Sequence, residues 1–260
     1  MIVWTTVFVD TRAGSAASAE SAGSAESFWL AVTGGSLSSR RGDRQEFVTV
    51  IPPDGDAFVR FQVISSGEPA VHVDLQSTSL PDDVALARSL GASVVSSSVG
   101  ITVLRSPGGL PFCVVEHRLG DSWRRPSPRR FPDGSASLVD QVCLDIPPSR
   151  WESEVGFWSE FLGWPVRPTD LPEFSYLVRP DGIPLRLLLQ KLGSEEPLVS
   201  AHLDLAATDR DAETDRHVAL GAELVLRSPG GWTVMKDPAG RTYCITDRNP
   251  LRDFGSPSVG

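Results

Sequence analysis

The chain has 260 residues, 40% of them hydrophobic and 22% charged, with a formal net charge of −9. That length fits two domains better than one, and each half can bury a core of its own. The acidic balance excludes a phosphate backbone as a partner, and no apolar run reaches the ~18 residues of a membrane-spanning helix.

The first ten residues are apolar without a basic start, so they read as a strand and not as a secretory signal. Ser15 to Val32, rich in Ala, Ser and Glu, is expected to be a helix. Val71 to Leu75 alternates around His72 and Asp74 as a strand does. A helix then closes at Leu90-Gly91-Ala92, and the Gly-rich turn Ser106 to Gly109 leads into a last strand holding Cys113. Leu119 to Ser137, with Pro126, Pro128 and Pro132, reads as a linker. Its basic run of Arg124, Arg125, Arg129 and Arg130 reads as a solvated face.

Beyond the linker the pattern begins again. Val139 to Ile146 is a strand stopped by Pro147-Pro148. Ser149 and Glu152 have the spacing of a capping box. Trp151, Val155, Trp158 and Leu162 fall on one helical stripe, with Gly163 placed to end it. Phe174–Val178 and Leu185–Gln190 are strands joined by a Pro-Asp-Gly turn. His202–Ala206 is a strand and Asp211–Leu220 a helix. Glu223–Leu226, Trp232–Met235 and Thr242–Thr246 complete the set, with room for one extra strand. Residues after Asn249 read as an irregular tail.

The two halves are one sequence written twice. Phe28-Trp29 recurs as Phe157-Trp158, His72-Val73-Asp74-Leu75 as His202-Leu203-Asp204-Leu205, and Leu90-Gly91-Ala92 as Leu220-Gly221-Ala222. Ser106-Pro107 through Cys113 recurs as Asp237-Pro238 through Cys244. The offsets are 157 − 28 = 129, 202 − 72 = 130, 220 − 90 = 130 and 244 − 113 = 131. Four blocks in the same order at a nearly constant offset mark duplicated domains. We expect domains at 1–118 and 138–248, a linker at 119–137 and a tail at 249–260.

These blocks resemble the vicinal oxygen chelate superfamily, in its glyoxalase-like branch, which also holds bleomycin-resistance and dihydroxybiphenyl-dioxygenase-like proteins. The matching features are the helix with Phe-Trp, the His-x-Asp-Leu strand, the Leu-Gly-Ala helix end and the closing Asp-Pro-x-Gly-x-x-(Phe/Tyr)-Cys. Ser106 departs from that last motif in the first copy. The resemblance implies an α+β fold of tandem domains, each built from two β-α-β-β-β units as a curved mixed sheet around a cavity. It implies small-molecule chemistry but no single reaction.

In that family metal ligands come from the first strand, a later strand and the closing strand. Here those positions fall on Thr6, Gln62, His72 and Cys113 in one copy and on Gln141, Gln190, His202 and Cys244 in the other. Cysteine stands where the closing glutamate of the family would be. Asp74 and Asp204 share a strand face with their histidines by alternation. Each His–Asp pair either orients a ligand, with the histidine as a base steadied by the carboxylate, or anchors a core strand. No carboxylate falls on a matching ligand position, so the expectation is that neither cavity holds a tightly bound metal and that no cofactor is used. The cysteines, three in all, read as small buried apolar residues. So sparse and odd a count argues against a disulfide framework and for a reducing cytoplasm. Trp29 and Trp158 read as core, His117 and His217 as surface residues.

The function read from these features is a protein that binds a small organic molecule without a tightly held metal. The alternative is an enzyme of the lyase, isomerase or dioxygenase kind working through His and Asp, with a metal as an option. A structural scaffold is a third reading. A monomer or a homodimer would serve any of them.

Overall fold

The computed structural model describes residues 1–12, 16–65, 70–117 and 123–252. The start of the first expected helix at Ser15, the front of the linker and the end of the tail fall outside these residues. Among the described residues no helix is long and apolar enough to cross a membrane.

The first repeat runs β1 (Ile2–Arg12), α1 (Ala16–Thr33), β2 (Ser36–Leu37), β3 (Phe47–Ile51), β4 (Val59–Ile64), β5 (Val71–Ser77), α2 (Leu80–Ser89), β6 (Ser93–Ser98), β7 (Ile101–Arg105) and β8 (Pro111–Glu116). After the short β9 (Arg129–Arg130) the second repeat follows as β10 (Ala136–Ile146), α3 (Trp151–Leu162), β11 (Val166–Pro168), β12 (Phe174–Leu177) and β13 (Arg186–Lys191). It ends with β14 (Ser200–Ala207), α4 (Arg210–Ala219), β15 (Glu223–Arg227), β16 (Trp232–Lys236) and β17 (Thr242–Thr246). One sheet has the order β2-β3-β4-β1-β5-β8-β7-β6 and the other β11-β12-β13-β10-β14-β17-β16-β15. Hairpin neighbours are antiparallel, while β5 with β8 and β14 with β17 are parallel. The fold is therefore α+β with two mixed sheets, repeating the expected β-α-β-β plan with β2 and β11 as the extra strands.

Packing groups the chain into two compact units. One holds Met1–Phe8, Val71–Arg124 and Val142–Ala201; the other holds Val9–Ala70, Arg125–Gln141 and His202–Gly260. Each unit thus joins the helix of one repeat to the closing strands of the other. In the first unit Phe157, Trp158 and Phe161 of α3 surround Phe112 of β8, with ring centroids 5.1 to 5.8 Å apart. In the second unit Phe28 and Trp29 of α1 surround Tyr243 of β17 at 5.9 and 5.1 Å. Both tryptophans are core residues, as their helical spacing predicts.

Each buried indole needs an acceptor for its N–H. In the second unit Asp237 supplies it. Its Oδ2 accepts from Trp29 Nε1 at 3.0 Å, and its Oδ1 accepts from the backbone N–H groups of Ala239 and Arg241. In the first unit the counterpart of Asp237 is Ser106, which is too short for all three donors. Ser106 Oγ accepts only from the Leu110 N–H. Glu154 of α3 takes the other two, the Gly108 N–H and Trp158 Nε1. The residue matching Glu154 in α1 is Ala25 (154 − 129 = 25). The acceptor has moved from the turn to the helix, and the same three donors are satisfied.

This arrangement alters the expected stripe of α3. Glu154, Phe157, Trp158, Phe161 and Leu162 are buried, and Trp151 and Val155 are only half-buried. A hydrophobic pattern does not mark a buried acid. The Ser149 capping box is not formed either: Ser149 donates instead to Glu195 Oε2 at 2.7 Å. Gly163 does end the helix, with φ of 67°.

Two surface expectations are corrected. His217 is buried, because the buried phenol of Tyr243 lies 2.8 Å from its Nδ1 and Glu213 Oε1 lies 3.1 Å from its Nε2. The matching residues in the first repeat are the apolar pair Ala87 and Phe112 (217 − 130 = 87; 243 − 131 = 112). The second correction concerns the linker. Arg129 is not a free basic residue: it donates to the carbonyls of Ala31 and Val32 at the end of α1 and stacks on Phe131 at 4.9 Å. A cation there also complements the negative end of the helix dipole.

Removing Glu154 should orphan two buried donors, each at a cost of about 1–3 kcal/mol. Glu154→Ala is therefore expected to lower the urea midpoint clearly, and Ser106→Asp in the same chain to restore most of the loss; a double variant less stable than the single one would refute the exchange. Burial holds the Glu154 carboxyl above its ordinary value of 4.5, against the pull of its hydrogen bonds. A carboxyl raised on folding stabilises fully below its unfolded value, and that contribution is lost as pH rises through the folded value. Stability should thus fall with rising pH across that window in the native chain, and Glu154→Ala should flatten the slope.

Candidate metal centres

The parallel ladder of each sheet sets the candidate sites. In the first unit Asp74 of β5 is the backbone partner of Cys113 in β8. His72 lies two residues before Asp74 on the same face. Its Nε2 is 3.8 Å from Asp74 Oδ1, and its ring stacks on Phe8 of β1 with centroids 5.0 Å apart. The Met1 carbonyl accepts from the Thr78 N–H at the other end of β1. These contacts make β1 antiparallel to β5, and the Asp10 N–H, which donates to the Ala70 carbonyl, gives the register that sets Thr6 opposite Asp74. Thr6 is buried, and its hydroxyl makes no hydrogen bond.

The second unit repeats this geometry. Asp204 of β14 is the backbone partner of Cys244 in β17. His202 Nε2 lies 3.3 Å from Asp204 Oδ1 and 3.6 Å from Cys244 Sγ. β10 lies beside β14 in the sheet, and the Thr208 N–H donates to the Ala136 carbonyl at one end of the pair. The Gln141 amide donates to Asp204 Oδ2. Behind the cluster Arg248 forms a two-pronged pair with Asp140 at 2.6 and 2.7 Å. Burial works against the charge of that guanidinium, and Asp140, Asp204 and Asp247 together hold it protonated.

The structure therefore gathers Thr6, His72, Asp74 and Cys113 in one unit and Gln141, His202, Asp204 and Cys244 in the other. Gln62 of β4 and Gln190 of β13 belong in each case to the opposite unit. Gln62 pairs across the ladder with Phe47, and the Gln190 carbonyl oxygen of the side chain accepts from Cys143 Sγ at 3.5 Å. All three cysteines are buried, and none is in a disulfide. An apolar cleft lined by Val32, Phe58, Pro126 and Leu205 opens on the other side of β14, since Leu205 alternates with Asp204. None of the cluster residues lines it.

Each cluster offers an imidazole nitrogen, a carboxylate oxygen and a sulfur, all within 4.8 Å of one another. Ligands of a tetrahedral divalent ion, bonded at ~2.0–2.3 Å, are separated by ~3.3–3.8 Å along the edges. The separations of 3.3, 3.6 and 3.8 Å fall in that range. The donor set fits a borderline first-row ion such as zinc, cobalt or iron, and its N, O and S mixture suits magnesium or calcium poorly.

A family model described as a glyoxalase-like domain matches the chain twice, over residues 14–115 and 141–246. No curated protein sequence matches it. Among solved structures it is similar to a mutant of 4-hydroxymandelate synthase from Streptomyces coelicolor, at 12% identity and a TM-score of 0.58, covering 98% of this chain and 94% of that one. An extradiol ring-cleaving dioxygenase from B. fuscum matches at 13% and 0.60, covering 99% and 74%. The 2,2',3-trihydroxybiphenyl 1,2-dioxygenase of Sphingomonas wittichii strain RW1 matches at 14% and 0.54, covering 93% and 88%. At these identities the structural likeness shows a shared fold, that of the vicinal oxygen chelate proteins, and nothing finer.

The expectation of cavities without metal or cofactor is overturned. The sequence shows no carboxylate at a family ligand position, but the fold brings Asp74 and Asp204 into the donor sets from two residues beyond the histidines. Folds similar to this one are those of dioxygenases.

With all three thiols buried, native protein should react with a bulky disulfide reagent far more slowly than the unfolded chain, whose three thiols titrate at once. A rapid native reaction would show that the clusters are open to solvent.

Proposed function

The chain belongs to the glyoxalase-like domain family, and we propose that it is a metal-assisted enzyme of the lyase, isomerase or dioxygenase kind acting on a small oxygen-bearing molecule. The observation that carries this reading is the pairing of the two His/Asp/Cys clusters: both repeats keep three donors of different chemistry at ligand spacing. The names of the similar structures, a hydroxymandelate synthase and two ring dioxygenases, support an oxygenated and aromatic substrate class. This replaces metal-free binding as the reading.

A divalent ion at such a cluster supplies Lewis-acid polarisation of a substrate oxygen. The histidine, with a carboxylate at 3.3 or 3.8 Å, is placed to hold or pass a proton when it is not a ligand. Thr6, His72, Asp74 and Cys113 are the residues we assign to the first site, and Gln141, His202, Asp204 and Cys244 to the second; Gln62 and Gln190, which group with the other unit in each case, are left out. As units of duplication we keep 1–118 and 138–248, joined by 119–137. Each repeat has its own cluster, so a monomer would suffice, and a reducing cytoplasm would keep the thiols available as ligands.

Elemental analysis after purification without a metal-affinity tag and dialysis against a weak chelator tests the reading. We expect at least one equivalent of a transition ion, reduced in His72→Ala or His202→Ala. Folded protein that holds no metal and takes up no added zinc, nickel, manganese or iron would overturn it.

A further inference from the structure

Strand β1 carries two buried donors that no acceptor among the described residues takes up. Phe8 stacks on His72 with the ring planes 4° from parallel, so the even-numbered residues of β1 face the first cluster. They are Trp4, Thr6 and Phe8: a ring, a hydroxyl and a second ring. Trp4 and Thr6 are each 1% exposed. Trp4 Nε1 and Thr6 Oγ1 are closed off from water and make no hydrogen bond. A buried donor without an acceptor is costly, and here two lie two residues apart on one face of one strand.

Trp4 does not lack packing. Its ring stacks on Trp123 with centroids 5.3 Å apart. Trp123 is half-buried and donates its own Nε1 to His117 Nδ1 at 3.4 Å, so its donor is used and that of Trp4 is left for a ligand. The His117 N–H in turn donates to the Ser77 carbonyl at the end of β5, which ties the stack to the sheet. All of these residues belong to the first unit. The second repeat has no such face. At the offset that relates Thr6 to Gln141 (141 − 6 = 135), Trp4 and Phe8 are matched by Val139 and Cys143.

The donors narrow the ligand. An indole N–H can only donate, so the ligand must present an acceptor oxygen. The Asp74 carboxylate stands opposite Thr6 and repels a negative charge placed there, so that oxygen is uncharged. The rings of Trp4 and Phe8 flank Thr6 and favour a flat aromatic body. Resting on the small-molecule part of the reading above and not on its metal, we infer that Trp4 and Thr6 form an acceptor-recognition subsite in the first unit, selective for an uncharged aromatic carbonyl compound. The Trp4 N–H and the Thr6 hydroxyl donate to the carbonyl oxygen, and the two flanking rings hold the aromatic body.

The test uses the full chain, isotope-labelled at its tryptophan indoles, and two probes of one shape: acetophenone, and ethylbenzene with a methylene in place of the carbonyl. The Trp4 indole resonance is identified by its loss in Trp4→Phe. Acetophenone should move that resonance downfield and bind about tenfold more tightly than ethylbenzene. Thr6→Val and Trp4→Phe should each remove most of this preference and keep the binding of ethylbenzene, a split that lost packing alone does not produce. If Trp4→Phe does not fold, Thr6→Val, which exchanges a hydroxyl for a methyl, decides by itself. Equal binding of the two probes, no binding of either, an unmoved Trp4 resonance or a preference kept in Thr6→Val would overturn the inference. A chain that fails here and still holds a transition ion leaves the metal-assisted reading standing. A chain that passes here and neither holds nor takes up such an ion overturns that reading alone.

Discussion

The arrangement turns on a buried indole N–H. Each repeat sends a helix carrying Phe-Trp onto the closing strands of the other repeat, and each tryptophan brings a donor into a water-free core. A donor left unpaired there costs as much as the packing of a side chain gains. The turn before the closing strand meets that need because its N–H groups and the indole converge on one point. An acid at that point takes up the indole and at least one turn N–H together.

The two repeats solve this constraint differently. Asp237 reaches every donor from the turn, while Ser106 keeps one and leaves the rest to Glu154 on the helix. Read within either repeat, the serine is a lapse from the motif. Read within the packing unit it is half of an exchange, because Glu154 and Ser106 come from different repeats. Ala87–Phe112 against His217–Tyr243 is a second exchange of the same kind, apolar in one unit and hydrogen-bonded in the other. Such pairs hold the duplicated halves to their partners, since moving one member alone leaves a buried polar group without its complement.

Much of this fold was legible in the sequence. Alternation and turn residues placed the strands of the second repeat to within a few residues, and Thr242–Thr246 falls where it was read. Gly163 and Gly182 mark turns with positive φ that other residues rarely adopt. Glu154, His217 and Arg129 were not legible. Each is polar, each lies in a segment whose pattern reads as surface or linker, and each is drawn inward by a donor or acceptor from distant sequence. At the candidate site, alternation put His and Asp on one face, but ligand counting by family position passed over the aspartates. The parallel ladder, which sets Asp74 against Cys113 and Asp204 against Cys244, is a long-range pairing that periodicity alone does not specify.

That ladder also explains how the two clusters diverge without harm to the sheet. The backbone bonds of β5 to β8 and of β14 to β17 hold His, Asp and Cys in register whatever the opposite strand carries. The residue on β1 or β10 contributes no ladder bond through its side chain, so threonine and glutamine are equally good strand residues there. They differ only in reach. The longer amide arrives at the carboxylate and constrains it; the shorter hydroxyl does not. A change at this position therefore alters the cluster and leaves the ladder bonds intact, so the two copies can differ there while both sheets keep their register.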